Sequence, residues 1–241
     1  MISRNEIKLI RSLDRKKYRD EVGLFVVEGE KSVEEALQSG FEVIKVFRIS
    51  EIGEEAMSRI TLLSSPSPAL ALVRKPAAPD ASQIEELIAS RPLSLALDSL
   101  RDPGNMGTII RLADWFGIGT IFASHDTVDC FNPKVVQASM GSIFRTQIIY
   151  CDLLQIASEF HTAGMPVFGT FPEGKSIYEE NLTPNGLIVM GSESHGISPA
   201  LEEVVTHRLS IPGFSHSSAN APDSLNVAIA TAIICSEFRR R

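Results

Sequence analysis

From Pro92 onward the chain alternates short apolar runs with helix-like segments: LSLALDSL, MGTIIRLADWFG, TIFAS, NPKVVQASMGS, TQIIY, LLQIASEFHTAG, PVFGTF, GLIVMG, SPALEEVV, LSIP and LNVAIATAIICSEF. Apolar runs of this length read as strands buried on both faces, and the segments between them need apolar ground to pack on. The alternation predicts an α/β fold: a mostly parallel sheet with helices on both faces. In such sheets ligands sit beyond the carboxyl ends of the strands, where strand turns into helix.

Three of these turns are rich in polar residues and glycine: DPGNMGTIIRLADWFG, VMGSESHGIS, and SIP followed, after a longer stretch, by SLNVAIATA. In the first, Asn105 is placed to cap a helix beginning near Met106. Ile109, Leu112, Ala113 and Phe116 form an apolar stripe, and Arg111 falls off it, on the side of Thr108 and Trp115. A surface arginine on a capped helix and a phosphate or ribose contact both satisfy this pattern, because helix N-termini and guanidinium groups favour anions. In the second, Gly191, Glu193 and Gly196 follow a strand, with Ser198 as N-cap and Pro199 at the first helical position. Ser192 and Ser194 miss the G-x-S-x-G spacing of a hydrolase elbow. In the third, Asp223 or Ser224 would cap a deeply packed helix, and Asn226, in its first turn, must find hydrogen-bond partners if buried.

The N-terminal part reads differently. Residues 4–19 predict one helix, LFVVEG a strand, EKSVEEALQSG a helix closed by Gly40, and FEVIKVFRIS a second strand, followed by the strand-like ALALVRK. This β-α-β order implies a small α/β module over about residues 1–80. The Pro- and Ala-rich PAAPDASQ suggests a linker near 76–91 and a second domain over 91–241. Up to Arg19 the chain carries Arg4, Lys8, Arg11, Arg15, Lys16, Lys17 and Arg19 against Glu6 and Asp14. Such a basic face suits either phosphate contacts or plain solvation.

Composition narrows the class. A net charge of −7 argues against a protein that coats nucleic acid nonspecifically, so any nucleic-acid contact is confined to a patch. No apolar run reaches the length of a membrane span and the first residues lack a signal-peptide core, which makes the cytoplasm the expected address. Cys130, Cys151 and Cys235 are widely spaced and outside any Cys/His cluster, so neither a disulfide framework nor a metal site is expected. Arg239, Arg240 and Arg241 read as a frayed tail at a helix C-terminus.

In their order and spacing the three turns resemble the motifs of the SpoU (TrmH-like) family of SPOUT-class RNA ribose 2'-O-methyltransferases. VVQASMGSIFR and the GT of VFGTF are also similar, and LFVVEGEKSVEEALQSGFEVIKVF resembles the small substrate-binding module that precedes many of these enzymes. The resemblance implies a C-terminal deep trefoil knot, S-adenosyl-L-methionine as methyl donor, and a homodimer that builds each site from two chains. It implies cofactor contacts at Thr170, Gly191, Gly196, Ile211, Pro212 and Leu225, and a reacting centre of Asn105, Arg111, Glu193, Ser224 and Asn226. Arg11, Arg15, Lys16, Lys17 and Arg145 become the candidate RNA contacts, with ribosomal RNA favoured over transfer RNA. One departure stands out: GFSHSSANAPD, residues 213–223, is longer than the family's usual loop. A catalytically inactive RNA-binding protein on the same scaffold is the alternative, although it would be expected to have lost Arg111 or Asn226. A dinucleotide enzyme would need G-x-G-x-x-G, which GNMG does not supply.

Overall fold

The computed structural model describes residues 2–214 and 224–240. Nine strands form two sheets: β1 (Leu24–Glu28), β2 (Val43–Arg48), β3 (Ala69–Arg74), β4 (Leu93–Leu97), β5 (Thr120–Ala123), β6 (Gln147–Tyr150), β7 (Val167–Ser176), β8 (Gly186–Met190) and β9 (His207–Ser210). The larger sheet runs β6-β5-β4-β8-β7-β9 with every pair parallel. Every residue of its central strands β4 and β8 is buried. Leu93, Leu95 and Leu97 face the helices Pro103–Trp115 and Val227–Arg240, and Ala96 faces the helices Ala81–Ala89 and Leu153–Thr162. The alternation of side chains along a strand thus builds two cores from one strand, as the apolar runs require.

The smaller sheet has the order β1-β3-β2, with β3 antiparallel to both neighbours. The β-α-β reading therefore holds in element order, but β3 lies between the two strands that it relates. Three further details depart from expectation. The helix expected over 4–19 is two helices, Arg4–Ser12 and Lys16–Val22. The helix Glu30–Gln38 stops at Ser39 in an extended conformation, and Gly40 does not adopt the left-handed backbone of a glycine stop. The segment expected as a linker carries the helix Ala81–Ala89, started by a reciprocal capping box between Asp80 and Gln83.

The two sheets share one core. Phe25, Val27 and Val33 of the small module join the same buried cluster as Leu95, Ile109 and Cys235. Helices Pro103–Trp115 and Pro133–Ser139 touch at Gly107, where a Cβ would stand 2.5 Å from Ala138 Cβ. All three cysteines are free, and burial pushes each thiol up to about 12. Arg239 is no frayed tail: its Nε and Nη2 donate to the carbonyls of Phe116 (2.6 Å) and Gly117 (2.9 Å), closing the C-terminal end of the neighbouring helix. Arg240 pairs with Glu237, and Arg241 lies outside the described residues. No helix of the described residues is long and apolar enough to cross a membrane.

Candidate active site

The first polar turn begins with Asp102, not Asn105, as the helix cap. Asp102 accepts the Asn105 N–H at 2.7 Å and Pro103 takes the first helical position, where its fixed φ suits the helix. Asn105 is thereby the third residue of the helix and its amide is free to reach out. Its Nδ2 donates to Glu193 Oε1 at 2.7 Å. Asn226 Nδ2 donates to the same Oε1 at 2.9 Å and to Asn105 Oδ1 at 3.0 Å.

Asn226 has a second task. Its Oδ1 accepts the N–H groups of Ala228 (3.0 Å) and Ile229 (3.3 Å), so Asn226 caps the helix Val227–Arg240. Ser224 stands two residues before that cap, and Asp223 lies outside the described residues. Asn226 is exposed, although Val227 and Ala228 behind it are buried. Asn226 does find the hydrogen-bond partners expected of it, but burial is not what imposes them. What holds the trio is a carboxylate at the N-terminal ends of two helices, where the backbone dipoles favour negative charge.

The loop that presents Glu193 is pinned on both sides. Ser192 and Gly196 exchange backbone hydrogen bonds at 3.0 and 2.9 Å, and Gly196 has φ +69°. A Cβ on Gly191 would meet the Gly196 carbonyl carbon at 2.1 Å, so only glycine fits there. Asp98, at the end of β4, accepts the Ser198 N–H at 2.7 Å and ties the loop to the central strand. Ser198 is the N-cap residue ahead of Pro199, though its hydroxyl makes no capping bond. Sequence reasoning passed over Asp98 and Asp102; the signals were a carboxylate ending a buried strand and an Asp-Pro pair opening a helix.

Around this centre, Thr170 donates its hydroxyl to Val189 O at 3.0 Å. Ile211 and Pro212, just past β9, are half-buried, and Leu225 is 48% exposed. These apolar groups lie with Gly191 and Gly196 beyond the carboxyl ends of β7, β8 and β9. Arg111 is not part of the Asn105–Glu193–Asn226 cluster. It lies six residues beyond Asn105, about 9 Å along the helix axis, exposed and without a hydrogen-bond or ion-pair partner among the described residues. It shares its exposed side with Thr108 and with Trp115, which is 83% exposed.

The candidate RNA contacts divide. Arg15 and Lys17 are exposed; Arg11 donates to Thr61 O at 3.2 Å, and Lys16 pairs with Asp20 at 2.7 Å. Arg145 is held by Asp114 at 2.9 Å and by Glu35, and these two carboxylates raise its already high pKa. Its charge is largely neutralised by partners within the chain. Arg19 leaves the basic face altogether: it is 1% exposed.

The family model described as SpoU rRNA Methylase family matches residues 92–236, which takes in all three polar turns. The chain belongs to the SpoU rRNA methylase family. A second model, the MRM3-like substrate binding domain, matches residues 4–64. This SpoU chain is 29% identical over 250 residues to 23S rRNA (guanosine(2553)-2'-O)-methyltransferase RlmP of Bacillus subtilis, covering 97% of this chain and 96% of that one. Its structure is similar to that of a TrmH-family protein from Porphyromonas gingivalis, with a TM-score of 0.86 at 38% identity over 100% of this chain and 99% of the other. An AdoMet-bound rRNA methyltransferase from Sinorhizobium meliloti gives the same TM-score at 29% identity, over 100% and 97% of the two chains. The SpoU core therefore coincides with the parallel sheet, and the expected fold class is the observed one.

Proposed function

We propose that the protein transfers the methyl group of S-adenosyl-L-methionine to a ribose 2'-hydroxyl of ribosomal RNA, working as a homodimer in the cytoplasm. The observation that carries this reading is Glu193 Oε1 accepting amides from Asn105 and Asn226, one residue from each of the family's three motifs. The residues present fit the cofactor. Gly191 and Gly196 form a tight backbone loop, and beside it Ile211, Pro212 and Leu225 leave apolar surface accessible for an adenosine and a methionine chain. Thr170 braces β7 against β8 through its hydroxyl, leaving backbone groups to face the ligand. The knot implied by the family resemblance belongs to this reading, with the chain around β8 and β9 forming the cofactor loops.

When bound, the cofactor supplies a methyl group already activated on a sulfonium, so the protein's task is alignment and handling of one proton. The two asparagine amides fix the Glu193 carboxylate, which would face the positive charge of a bound cofactor. Ser224, exposed two residues before Asn226, lies where it can hydrogen-bond the ribose. Arg111 orients the 2'-hydroxyl and stabilises the developing alkoxide. A guanidinium is a poor proton acceptor, so the 2'-hydroxyl proton leaves to solvent, with a neighbouring RNA phosphate sharing the proton load. Arg111 reaches this centre from a second copy of the chain. Trp115, one turn beyond it, and Ile229 and Leu225, on or beside the adjoining helix, leave apolar surface exposed that a partner would cover.

The reading is tested by following labelled methyl from S-adenosyl-L-methionine into unmodified ribosomal RNA and identifying the nucleoside after digestion. Label in a 2'-O-methylnucleoside, abolished by Arg111→Ala, is the expected result. Saturable cofactor binding without transfer to any RNA would leave an RNA-binding protein on a methyltransferase scaffold.

A further inference from the structure

One buried guanidinium joins the substrate module to the methyltransferase sheet. The Arg19 side chain is 2% exposed and that of Asp129 is 7% exposed. Arg19 Nε and Nη2 both donate to Asp129 Oδ2, at 2.9 and 2.6 Å. Its Nη1 donates to the carbonyls of Leu13 (2.7 Å) and Asp14 (2.8 Å), at the break between the first two helices. Asp129 Oδ1 accepts the N–H of Phe131, whose ring lies 4.6 Å from that of Phe25 in β1. A second bridge runs nearby: Arg145 joins Glu35 of the module to Asp114, on the same helix as Asn105 and Arg111. Phe41 and Phe144 meet edge to face at 5.2 Å. A module on a loose tether would need none of these contacts, whereas buried apolar and ionic contacts of this kind hold two units in one orientation.

We propose that Arg19 and Asp129 are a positioning pair that fixes the substrate module on the methyltransferase domain, so that the module measures RNA as a rigid extension of the site. A buried ion pair contributes little net stability, because desolvation offsets its attraction, but it penalises every orientation that separates the charges. The pair therefore acts on which RNA fits and leaves the methyl transfer step itself alone. This inference rests on the RNA methyltransferase reading above.

The test uses the full chain, as wild type and as the double variant Arg19→Met/Asp129→Leu, which removes both charges and keeps apolar bulk. Two probes are compared: full-length 23S rRNA transcribed in vitro, and a short stem-loop cut from it around the nucleotide that becomes methylated. The double variant is expected to fold and to bind S-adenosyl-L-methionine as wild type does. Its KM for the full-length RNA should rise on the order of ten- to a hundredfold, the scale of a small misplacement, while kcat and the KM for the stem-loop stay unchanged. Solution X-ray scattering should fit one module orientation in wild type and a shifted mean orientation in the variant, where the shared apolar core and the Arg145 bridge still hold the module. The proposal is overturned if wild type already scatters as a mixture, if the variant keeps its preference for the long RNA, or if both RNAs lose equally. If wild type methylates neither RNA, the substrate reading fails and the scattering comparison alone decides the fixed orientation.

Discussion

Asn226 performs two jobs with two different atoms, and one substitution separates them. Asn226→Ala removes both. Loss of the cap to Ala228 and Ile229 should cost about 1 kcal/mol, which for a chain of this size lowers Tm by roughly 2–4 °C. Asn226→Asp keeps an oxygen to cap the helix, and aspartate is as good a cap as asparagine. It also replaces the Nδ2 donor, 2.9 Å from Glu193 Oε1, with a second carboxylate oxygen. Two such charges about 4 Å apart repel by about 1 kcal/mol in water and about 4 kcal/mol at a protein surface of lower effective dielectric. Glu193 and Asn226, the two residues that would carry the charges, are exposed, so solvent screening places the cost at the low end. Glu193 can escape that repulsion by swinging away, at the expense of its position in the cluster proposed as the reacting centre. Asn226→Asp should thus melt within a degree or two of wild type, on the scale of a retained cap, and lose on the order of a hundredfold in turnover. Labelled methyl transfer at saturating RNA and cofactor, with circular dichroism melting, measures both. Wild-type turnover in Asn226→Asp would refute the role of the amide bridge, and equal melting losses for the Ala and Asp variants would refute the cap argument.

Arg111→Lys keeps a positive charge but loses the planar fork, so turnover should fall by tenfold or more, about 1.4 kcal/mol of transition-state stabilisation, with cofactor affinity unchanged in a calorimetric titration. Gly191→Ala forces the Ser192–Gly196 loop open, because its Cβ would meet the Gly196 carbonyl carbon at 2.1 Å; cofactor Kd should rise by about tenfold or more while the sheet keeps its circular dichroism spectrum. Trp115→Glu puts a charge on the surface assigned to the second copy, and sedimentation should show monomers with little methyl transfer; a Trp115→Glu dimer of normal activity would move the dimer surface elsewhere. RNA binding should weaken with salt at a slope of about −0.7 in log K per phosphate neutralised, and cofactor binding should stay flat.

Most of the strand and helix order of the parallel sheet was legible from the apolar runs, because strands buried on both faces can be built only from such residues. Helix starts were less legible where two capping residues compete. Asn105 and Asp102 both suit a cap, and the proline at 103 settles the choice for Asp102. In the third turn the sequence pointed to Asp223 or Ser224, and only the structure shows that the Asn226 side-chain oxygen faces the free N–H groups. The break at residues 13–15 was not read from the sequence; there Arg19 bonds the carbonyls of Leu13 and Asp14, and its other partner is 110 residues away. Arg145 read as an RNA contact because an arginine within a family-like segment carries no mark of the carboxylates that will surround it. The family motifs carried the site further than periodicity did: they named Asn105, Glu193 and Asn226, which the structure brings to one point, together with Arg111, which the structure leaves outside that point.

The hydrogen bond between Asn226 and Asn105 spans 121 positions, and Glu193 joins the pair across 88 and 33. The three cannot all meet until the sheet has formed and the helix Val227–Arg240 has docked on the helix Pro103–Trp115, so the complete cluster should be among the later contacts a folding chain makes. It should also be among the first lost. On gentle heating, methyl transfer would be extinguished while the far-ultraviolet signal of the sheet persists, which makes enzymatic activity a more sensitive gauge of the fully assembled state than any spectroscopic average over the backbone.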